Sequence, residues 1–150
     1  MRIKDLMTRR VRACGPDDTV NRAAQIMWEH GCGCVPVIDL GGHVLGMLTD
    51  RDVCMAAYTK GESLAQIPVT TAMSRHVYAC RPEDTIEDAE RLMWMKQVRR
   101  LPITDDAGRL LGLLSLSDIA RHAARRASID ASPEGVARTL AGVSERPDAE

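Results

Sequence analysis

The stretch GMLTDRD, residues 46–52, has a counterpart in GLLSLSD, residues 112–118. Each begins with a glycine, continues with two apolar residues and a hydroxyl residue, and ends with an aspartate three positions after the hydroxyl. The two stretches lie 66 residues apart. Their recurrence in one short chain raises two questions: whether the whole chain is duplicated, and what needs a hydroxyl three residues before a carboxylate.

The similarity extends far beyond these two stretches. Residues 7–54 align with residues 73–120 without a gap. A repeat of this length is a strong signal of duplication, and it constrains the fold more than any single motif does. The identical pairs include Met7 and Met73, Pro16 and Pro82, Thr19 and Thr85, Trp28 and Trp94, and Pro36 and Pro102.

The composition is that of an ordinary globular protein. Of the 150 residues, 45% are hydrophobic and 27% are charged, and the formal net charge is −1, so no global basic field attracts nucleic acid or anionic lipid. There is no Phe and there are only two Trp and two Tyr, which argues against a surface that stacks nucleic-acid bases. No apolar run approaches the roughly 20 residues of a membrane span. We therefore expect a soluble cytoplasmic protein without a membrane or nucleic-acid partner.

The five cysteines are an odd number, which favours reduced thiols over a disulfide framework. The segment HGCGC, residues 30–34, contains possible zinc ligands, but an evident fourth ligand is lacking. Cys32 aligns with Val98 of the second copy, so we interpret it as a small core residue and expect no metal site.

Each copy predicts the same order of elements. A short extended piece, VRAC or VYAC, precedes a helix that Asp18 or Thr19 can cap and that Gly31 can end. Two strands joined by a glycine-containing turn follow, and a second helix begins after the hydroxyl of the repeated motif. The order is thus β-α-β-β-α, twice. The expected boundaries are 1–62 for the first repeat, 63–68 for a linker, 69–127 for the second repeat, and 128–150 for a tail with a short helix.

The residues that carry a family resemblance are Val35-Pro36-Val37 and Leu101-Pro102-Ile103, each followed by the glycine–hydroxyl–aspartate motif. In this respect the chain resembles the CBS domain and the tandem pair known as a Bateman module, over residues 1 to about 126. The resemblance implies an α+β fold in which two β-α-β-β-α repeats pack through their sheets around a pseudo-twofold axis. It also implies adenosine ligands in the two inter-repeat crevices: AMP, ADP, ATP or S-adenosylmethionine.

The chemistry of the motif suits such a ligand. Asp52 and Asp118 lie one turn into their predicted helices, and a carboxylate can accept hydrogen bonds from both hydroxyls of a ribose. Free backbone N–H groups at a helix start attract phosphate. The expected phosphate-binding residues are Thr49, Arg51, Arg99, Arg100, Ser115 and Ser117. By resemblance, the residues expected to contact adenine are Ala13, Cys14, Val35, Pro36, Ala79, Cys80, Leu101 and Pro102.

Several of these residues also have a purely structural interpretation. Thr49 and Ser115 are good helix caps whether or not a ligand binds. Arg99 and Arg100 are adjacent at a strand, where side chains alternate, so at most one is expected to point into a crevice. Trp28 and Trp94 fall at equivalent helix positions, and both are interpreted as core or dimer-interface residues rather than a stacking platform.

Three functions remain open at this point. The first is a regulatory ligand sensor that binds an adenosine nucleotide without an obligatory cofactor and acts on an unknown protein partner. The second is a ligand-independent dimerisation or adaptor module. The third, an enzyme, is disfavoured because the sequence has no nucleophile turn, phosphate loop or metal motif. We further expect a homodimer whose interface includes residues 50–58 and 116–124.

Overall fold

The computed structural model describes residues 1–125 and 133–144. These residues form six helices and four strands, and the helix-strand-strand-helix part of the predicted order is present in both repeats. Two 3-10 turns lie at Ile3–Asp5 and Leu64–Gln66. The helices are α1 Val20–His30, α2 Asp50–Lys60, α3 Val69–Ala72, α4 Ile86–Lys96, α5 Leu116–Arg125 and α6 Pro133–Ser144. The strands are β1 Cys34–Ile38, β2 Val44–Thr49, β3 Arg100–Thr104 and β4 Leu110–Ser115. No helix within the described ranges is long and apolar enough to cross a membrane.

Helix α1 buries one apolar face and ends where the sequence predicts. Val20, Ala23 and Met27 are buried, at the spacing of successive helical turns. Gly31 follows in the left-handed conformation, with φ of 60°, as expected of a glycine after a helix. Its equivalent after α4 is Gln97, which holds the same conformation at φ of 52° despite its side chain. The duplication therefore preserves the backbone even where it has changed the residue.

The strands form two separate antiparallel hairpins, β1 with β2 and β3 with β4. In the first hairpin Val35 lies opposite Leu48, and both side chains are fully buried. Asp39 shapes the turn, because its Oδ1 accepts hydrogen bonds from the backbone N–H groups of Gly41 and His43, each at 2.9 Å. The two strands joined by a glycine-containing turn that were predicted for each repeat are thus confirmed.

The predicted extended pieces VRAC and VYAC are shorter than expected, since each contributes one bridging residue rather than a strand. Cys14 lies parallel to Val37: its N–H donates to the Pro36 carbonyl at 2.9 Å, and its own carbonyl accepts from the Ile38 N–H at 2.9 Å. The next hydrogen bonds of a parallel ladder would need N–H groups from Pro16 and Pro36, which proline lacks. The prolines repeat at 82 and 102, so Cys80 forms the same single bridge to Ile103.

The structured part of the chain divides into two compact units, and neither is continuous in sequence. Each unit is built around one repeat and includes a segment from outside it. The repeat-1 unit comprises residues 10–77 and 107–110, and the repeat-2 unit comprises residues 1–9, 78–106 and the described residues of 111–150.

The segments that complete the units are equivalent to each other at the offset of 66. Ile3, fully buried in the core of the repeat-2 unit, donates its N–H to the Asp84 carbonyl at 2.9 Å. Val69, fully buried in the repeat-1 unit, donates its N–H to the Asp18 carbonyl at 2.9 Å. The apolar residue near the start of each repeat therefore completes the core of the unit built on the other repeat.

Candidate functional site

The hydroxyl and aspartate of the first motif form a reciprocal cap at the start of α2. The Oδ2 atom of Asp52 accepts hydrogen bonds from the Thr49 N–H and the Thr49 hydroxyl, both at 2.8 Å. In return the Asp52 N–H donates to the Thr49 hydroxyl oxygen at 3.2 Å. This is the capping-box arrangement, which satisfies backbone donors that a helix start leaves unpaired. The three-residue spacing therefore has a structural reason that needs no ligand.

The second motif caps α5 in the same way, but its aspartate has one further partner. Asp118 Oδ2 accepts from the Ser115 N–H at 2.9 Å and from the Ser115 hydroxyl at 2.6 Å. Its other oxygen, Oδ1, accepts from the guanidinium of Arg121. Met55 stands at the equivalent position of the first repeat. The two aspartates predicted to bind ribose therefore differ, because the outer oxygen of Asp118 is engaged by an arginine.

The glycine that opens each motif permits a close approach of the backbone. A Cβ atom on Gly46 would lie 2.7 Å from the carbonyl oxygen of Ser74 and 2.6 Å from Met73 Sδ. Met47 and Ser74 exchange two backbone hydrogen bonds at this point, of 3.0 and 2.8 Å. Gly112 has the same relation to Thr8, whose carbonyl oxygen would lie 2.9 Å from an added Cβ. The fold alone thus accounts for all three fixed positions of the motif.

The predicted phosphate-binding residues of the second repeat line one cavity of about 330 Å³ at the start of α5. Both Arg99 and Arg100 line it, and the expectation that at most one of them points into a crevice remains a prediction. Arg99 precedes β3, which begins at Arg100, and therefore does not follow strand alternation. The complete lining is Arg99, Arg100, Ser115, Leu116, Ser117, Ala120, Val136 and Leu140.

Two lining residues come from α6 and were not predicted as site residues. Val136 packs against the buried core of the repeat-2 unit, and Leu140 lies about half exposed. The sequence shows an apolar stripe in the tail, but it does not show which surface that stripe covers. From the sequence we also expect Ser132 to cap this helix, but that residue lies outside the described residues.

A larger cavity, of about 650 Å³, lies beside the bridge of the repeat-1 unit. Ala13 and Cys14, both predicted adenine contacts, line it together with the residues up to Asp18 and the turn from Ile38 to Gly41. Its carboxylates are those of Asp17, Asp18 and Asp39. Hydrogen bonds from the backbone of His43 hold the pKa of Asp39 below its usual value. The negative charge of these carboxylates disfavours phosphate in this cavity. The predicted ligand-binding residues Thr49, Arg51 and Asp52 are not part of its lining.

The other predicted adenine contacts lie mostly in the cores. Val35 and Leu101 are fully buried, and the prolines that follow them, Pro36 and Pro102, are buried as well. Ala79 is exposed. Because the buried residues leave little surface for a ligand, their role in binding adenine remains a prediction.

The two bridging cysteines are poorly suited to act as nucleophiles. Burial raises the pKa of Cys14 to about 11, and it raises the pKa of Cys80 equally far. The reactive form of a cysteine is the thiolate, which is scarce at neutral pH when the pKa is this high. Across residues 1–125 and 133–144, no three His, Cys, Asp or Glu side chains cluster as a metal site would require.

The tryptophan pair occupies equivalent helix positions but two different environments. Trp28 is 89% exposed, so the interpretation of this residue as core is wrong, while its place in a dimer interface remains a prediction. Trp94 is 51% exposed and packs against Gly142 of α6. The difference arises because α6 covers the second repeat at the position that is open in the first.

Comparison with known proteins supports the resemblance read from the sequence. The CBS domain model matches residues 3–58 and 66–125. The CBS domain-containing protein YhcV of Bacillus subtilis is 39% identical over 118 residues, which cover 79% of this chain and 82% of that protein.

Two solved structures are similar in fold and in sequence. The crystal structure of Hypoxic Response Protein I with two coordinated zinc ions is 30% identical, with a TM-score of 0.74, covering 81% of this chain and 98% of that one. The crystal structure of CBSX2 in complex with AMP is 26% identical, also with a TM-score of 0.74, covering 85% of this chain and 98% of that one. With both repeats matched, the chain belongs to the CBS domain family and carries that domain as a tandem pair.

Proposed function

We propose that this chain is a regulatory module that binds an adenosine nucleotide on its CBS repeats and passes the bound state on to a partner protein. The observation that carries the proposal is the cavity at the start of α5, where Arg99 and Arg100 meet the hydroxyl residues Ser115 and Ser117. Guanidinium groups, hydroxyls and a helix start are the groups that proteins use to hold phosphate. The structure of CBSX2 in complex with AMP supports the proposal that this phosphate belongs to an adenosine nucleotide.

The two repeats are proposed to differ in phosphate preference. The first repeat has Gly33 and Cys34 where the second has Arg99 and Arg100, and its own nearby cation is Arg51 on α2. Charge-assisted hydrogen bonds are stronger than neutral ones, and a guanidinium can engage two phosphate oxygens at once. The second repeat should therefore prefer polyphosphates such as ATP, with an affinity that falls more steeply as salt is added.

The ribose contact is proposed to be easier at Asp52 than at Asp118. Both aspartates use Oδ2 in their helix caps, which leaves Oδ1 to meet a ribose hydroxyl. At Asp118 that oxygen already accepts from Arg121, so a ribose must displace or share the guanidinium. The first repeat has no arginine at this position, since Met55 occupies it. An adenosine ligand with few phosphate groups, such as AMP, should accordingly bind the first repeat in preference to the second.

The test is calorimetric titration of the purified chain with AMP, ADP, ATP and S-adenosylmethionine. Replacing Arg99 and Arg100 together by Ala should weaken ATP binding at one site by about 1–3 kcal/mol, the scale of a charged hydrogen bond, and leave the other site unchanged. The matched control replaces Arg22 and Arg91 together by Ala. This variant loses the same charge, but from the exposed faces of α1 and α4. Absence of binding by all four ligands at millimolar concentration would refute the proposal. Equal weakening by both double variants would refute the assignment of the arginines.

A second candidate function, a ligand-independent dimerisation or adaptor module, is favoured by a different observation. Helices α1 and α2 expose large apolar side chains: Trp28 at 89%, Tyr58 at 81% and Met55 at 45%. Exposed apolar groups of this size are typical of interaction surfaces. Light scattering should then show a homodimer that is indifferent to nucleotide, and Asp52→Ala with Asp118→Ala should leave association unchanged. A monomer at tens of micromolar, or a nucleotide-dependent dimer, would exclude this alternative.

A further inference from the structure

Helix α6 gives the second repeat a structural element that the first lacks. Its Val136 and Leu140 side chains line the same cavity as Arg99 and Arg100. The cavity therefore has a cationic and hydroxyl side, formed by the repeat itself, and an apolar side, formed by the tail. A ligand that fits both sides carries an anionic group at one end and an apolar or flat group at the other, as a nucleotide does.

The position of α6 on the repeat-2 unit is fixed by contacts that lie outside the cavity. Trp94 packs so closely on Gly142 that a Cβ atom there would overlap the indole ring. The Gly142 carbonyl accepts a hydrogen bond from the Gln97 side-chain amide at 3.3 Å. Thr139 and Gly142 are both buried, at the spacing of one helical turn, so this side of α6 packs on the unit. These contacts hold α6 in place without using any group that would touch a ligand.

The first repeat shows the same surface without such a helix. A cavity of about 250 Å³ lies between α1 and α2, lined by Met27, Trp28 and Val53 among others. These residues are equivalent to Met93, Trp94 and Ile119 of the second repeat, where α6 packs on α4 and α5. The comparison within one chain shows that α6 is an addition to the repeat rather than a requirement of its fold.

We infer that α6 is the closing wall of the nucleotide site on the second repeat, and that docking of α6 and binding of the ligand favour each other. The inference rests on the proposed function for the class of ligand. A ligand that touches Val136 or Leu140 binds the docked state better than the undocked state, so by linkage it also stabilises docking. With α6 docked, the cavity of about 330 Å³ is near the lower end of ligand-pocket sizes, so it suits a mononucleotide.

The experiment uses the full chain with Trp28→Phe, so that fluorescence reports Trp94 alone. Gly142→Leu places a side chain against the Trp94 ring and should undock α6. Ala141→Leu adds the same side chain to the same helix at an exposed position and is the matched control. Quenching of Trp94 by acrylamide measures docking, and calorimetry with AMP, ATP and inorganic pyrophosphate measures binding.

In the control, each anion that binds the second site should lower the quenching of Trp94. In Gly142→Leu the quenching should be high without ligand, and binding at the second site should weaken about tenfold, within the range usual for coupled sites. Unchanged or tighter binding in a variant with an exposed Trp94 would overturn the inference. Should Gly142→Leu leave the quenching unchanged, Leu140→Asp decides instead: a carboxylate in the wall repels a bound phosphate, and equal affinity for ATP would show that α6 is not part of the site.

The outcomes also separate this inference from the proposed function. If nucleotides bind but neither variant changes their affinity or the quenching of Trp94, the proposed function stands and the role of α6 is refuted. If nucleotides do not bind but pyrophosphate protects Trp94 in the control and not in Gly142→Leu, α6 closes an anion site and the adenosine ligand is wrong. If no anion binds or protects Trp94, both are refuted.

Discussion

Replacing Gly46 by Ala should strain the point at which residues 73–74 meet β2. The new Cβ would lie 2.7 Å from the Ser74 carbonyl oxygen and 2.6 Å from Met73 Sδ, closer than such atoms are found in proteins. The backbone must move apart, and the two hydrogen bonds that Met47 and Ser74 exchange must lengthen or break. Because one partner of the clash is backbone, a rotamer change of the methionine cannot relieve it.

The expected cost follows from three terms. Two backbone hydrogen bonds contribute about 1 kcal/mol each to stability. Overpacking a tight contact costs about 1–3 kcal/mol, while exchange of glycine for alanine regains about 0.4–1 kcal/mol by restricting the unfolded chain. The free energy of unfolding should therefore fall by about 2–4 kcal/mol, a large share of the roughly 5–15 kcal/mol usual for a domain.

Urea unfolding followed by far-ultraviolet circular dichroism measures this loss as a lower midpoint with an unchanged slope. Hydrogen exchange should show lost protection at the Ser74 amide in particular. The matched control is Gly15→Ala, because a Cβ there meets only the Asp18 carboxylate at 3.8 Å and should change stability by less than about 0.5 kcal/mol. Equal midpoints for the two variants would refute the reasoning that Gly46 is required for close approach.

Three further outcomes are expected. Asp118→Ala removes the acceptor of the α5 cap and should lower the free energy of unfolding by about 1 kcal/mol in urea titration; no loss would show that the cap contributes nothing. At pH 8 iodoacetamide should modify the exposed Cys54 much faster than Cys14 or Cys80, as peptide mass spectrometry will show, whereas equal rates would contradict their raised pKa values. Because these two buried thiols keep their protons up to about pH 11 while an unfolded thiol loses its proton near 9.0, stability should fall as pH rises through this interval; a flat stability profile there, from urea midpoints, would contradict burial of the thiols.

The elements that arise from local pattern could be predicted from the sequence. The helix that becomes α1, its stop at Gly31 and the two strands that follow each depend on residues close together in the chain, and the structure confirms them. The end of α4 carries no such signal, because Gln97 stands where the first repeat has Gly31 and its type does not favour the left-handed conformation. The length of VRAC was overestimated because its pairing is limited both by Pro16 of its own segment and by Pro36 of β1, and the second of these could not be foreseen from the segment alone.

Features that depend on distant partners could not be predicted. Nothing in the pattern of residues 1–9 shows that Ile3 packs beside Ile86, since the alignment of the repeats is the same whichever unit the segment joins. The side on which α6 docks was likewise unknown, so Val136 and Leu140 were missed as site residues. The motif itself was ambiguous for a physical reason, because a capping hydroxyl and a phosphate-binding hydroxyl occupy the same position at a helix start.

The separation of residues 1–9 from the rest of their unit has a consequence for synthesis on the ribosome. Residues 10–77 emerge as one stretch and include nearly the whole repeat-1 unit, so they can begin to fold while the second repeat is still being translated. Residues 1–9 leave the ribosome before the rest of their unit, yet Ile3 finds its buried position only after Ile86 has emerged. The segment of this unit that is made earliest is thus among the last to be placed. A pause in translation after residue 77 would leave Ile3 and Met7 exposed to chaperones for its whole duration.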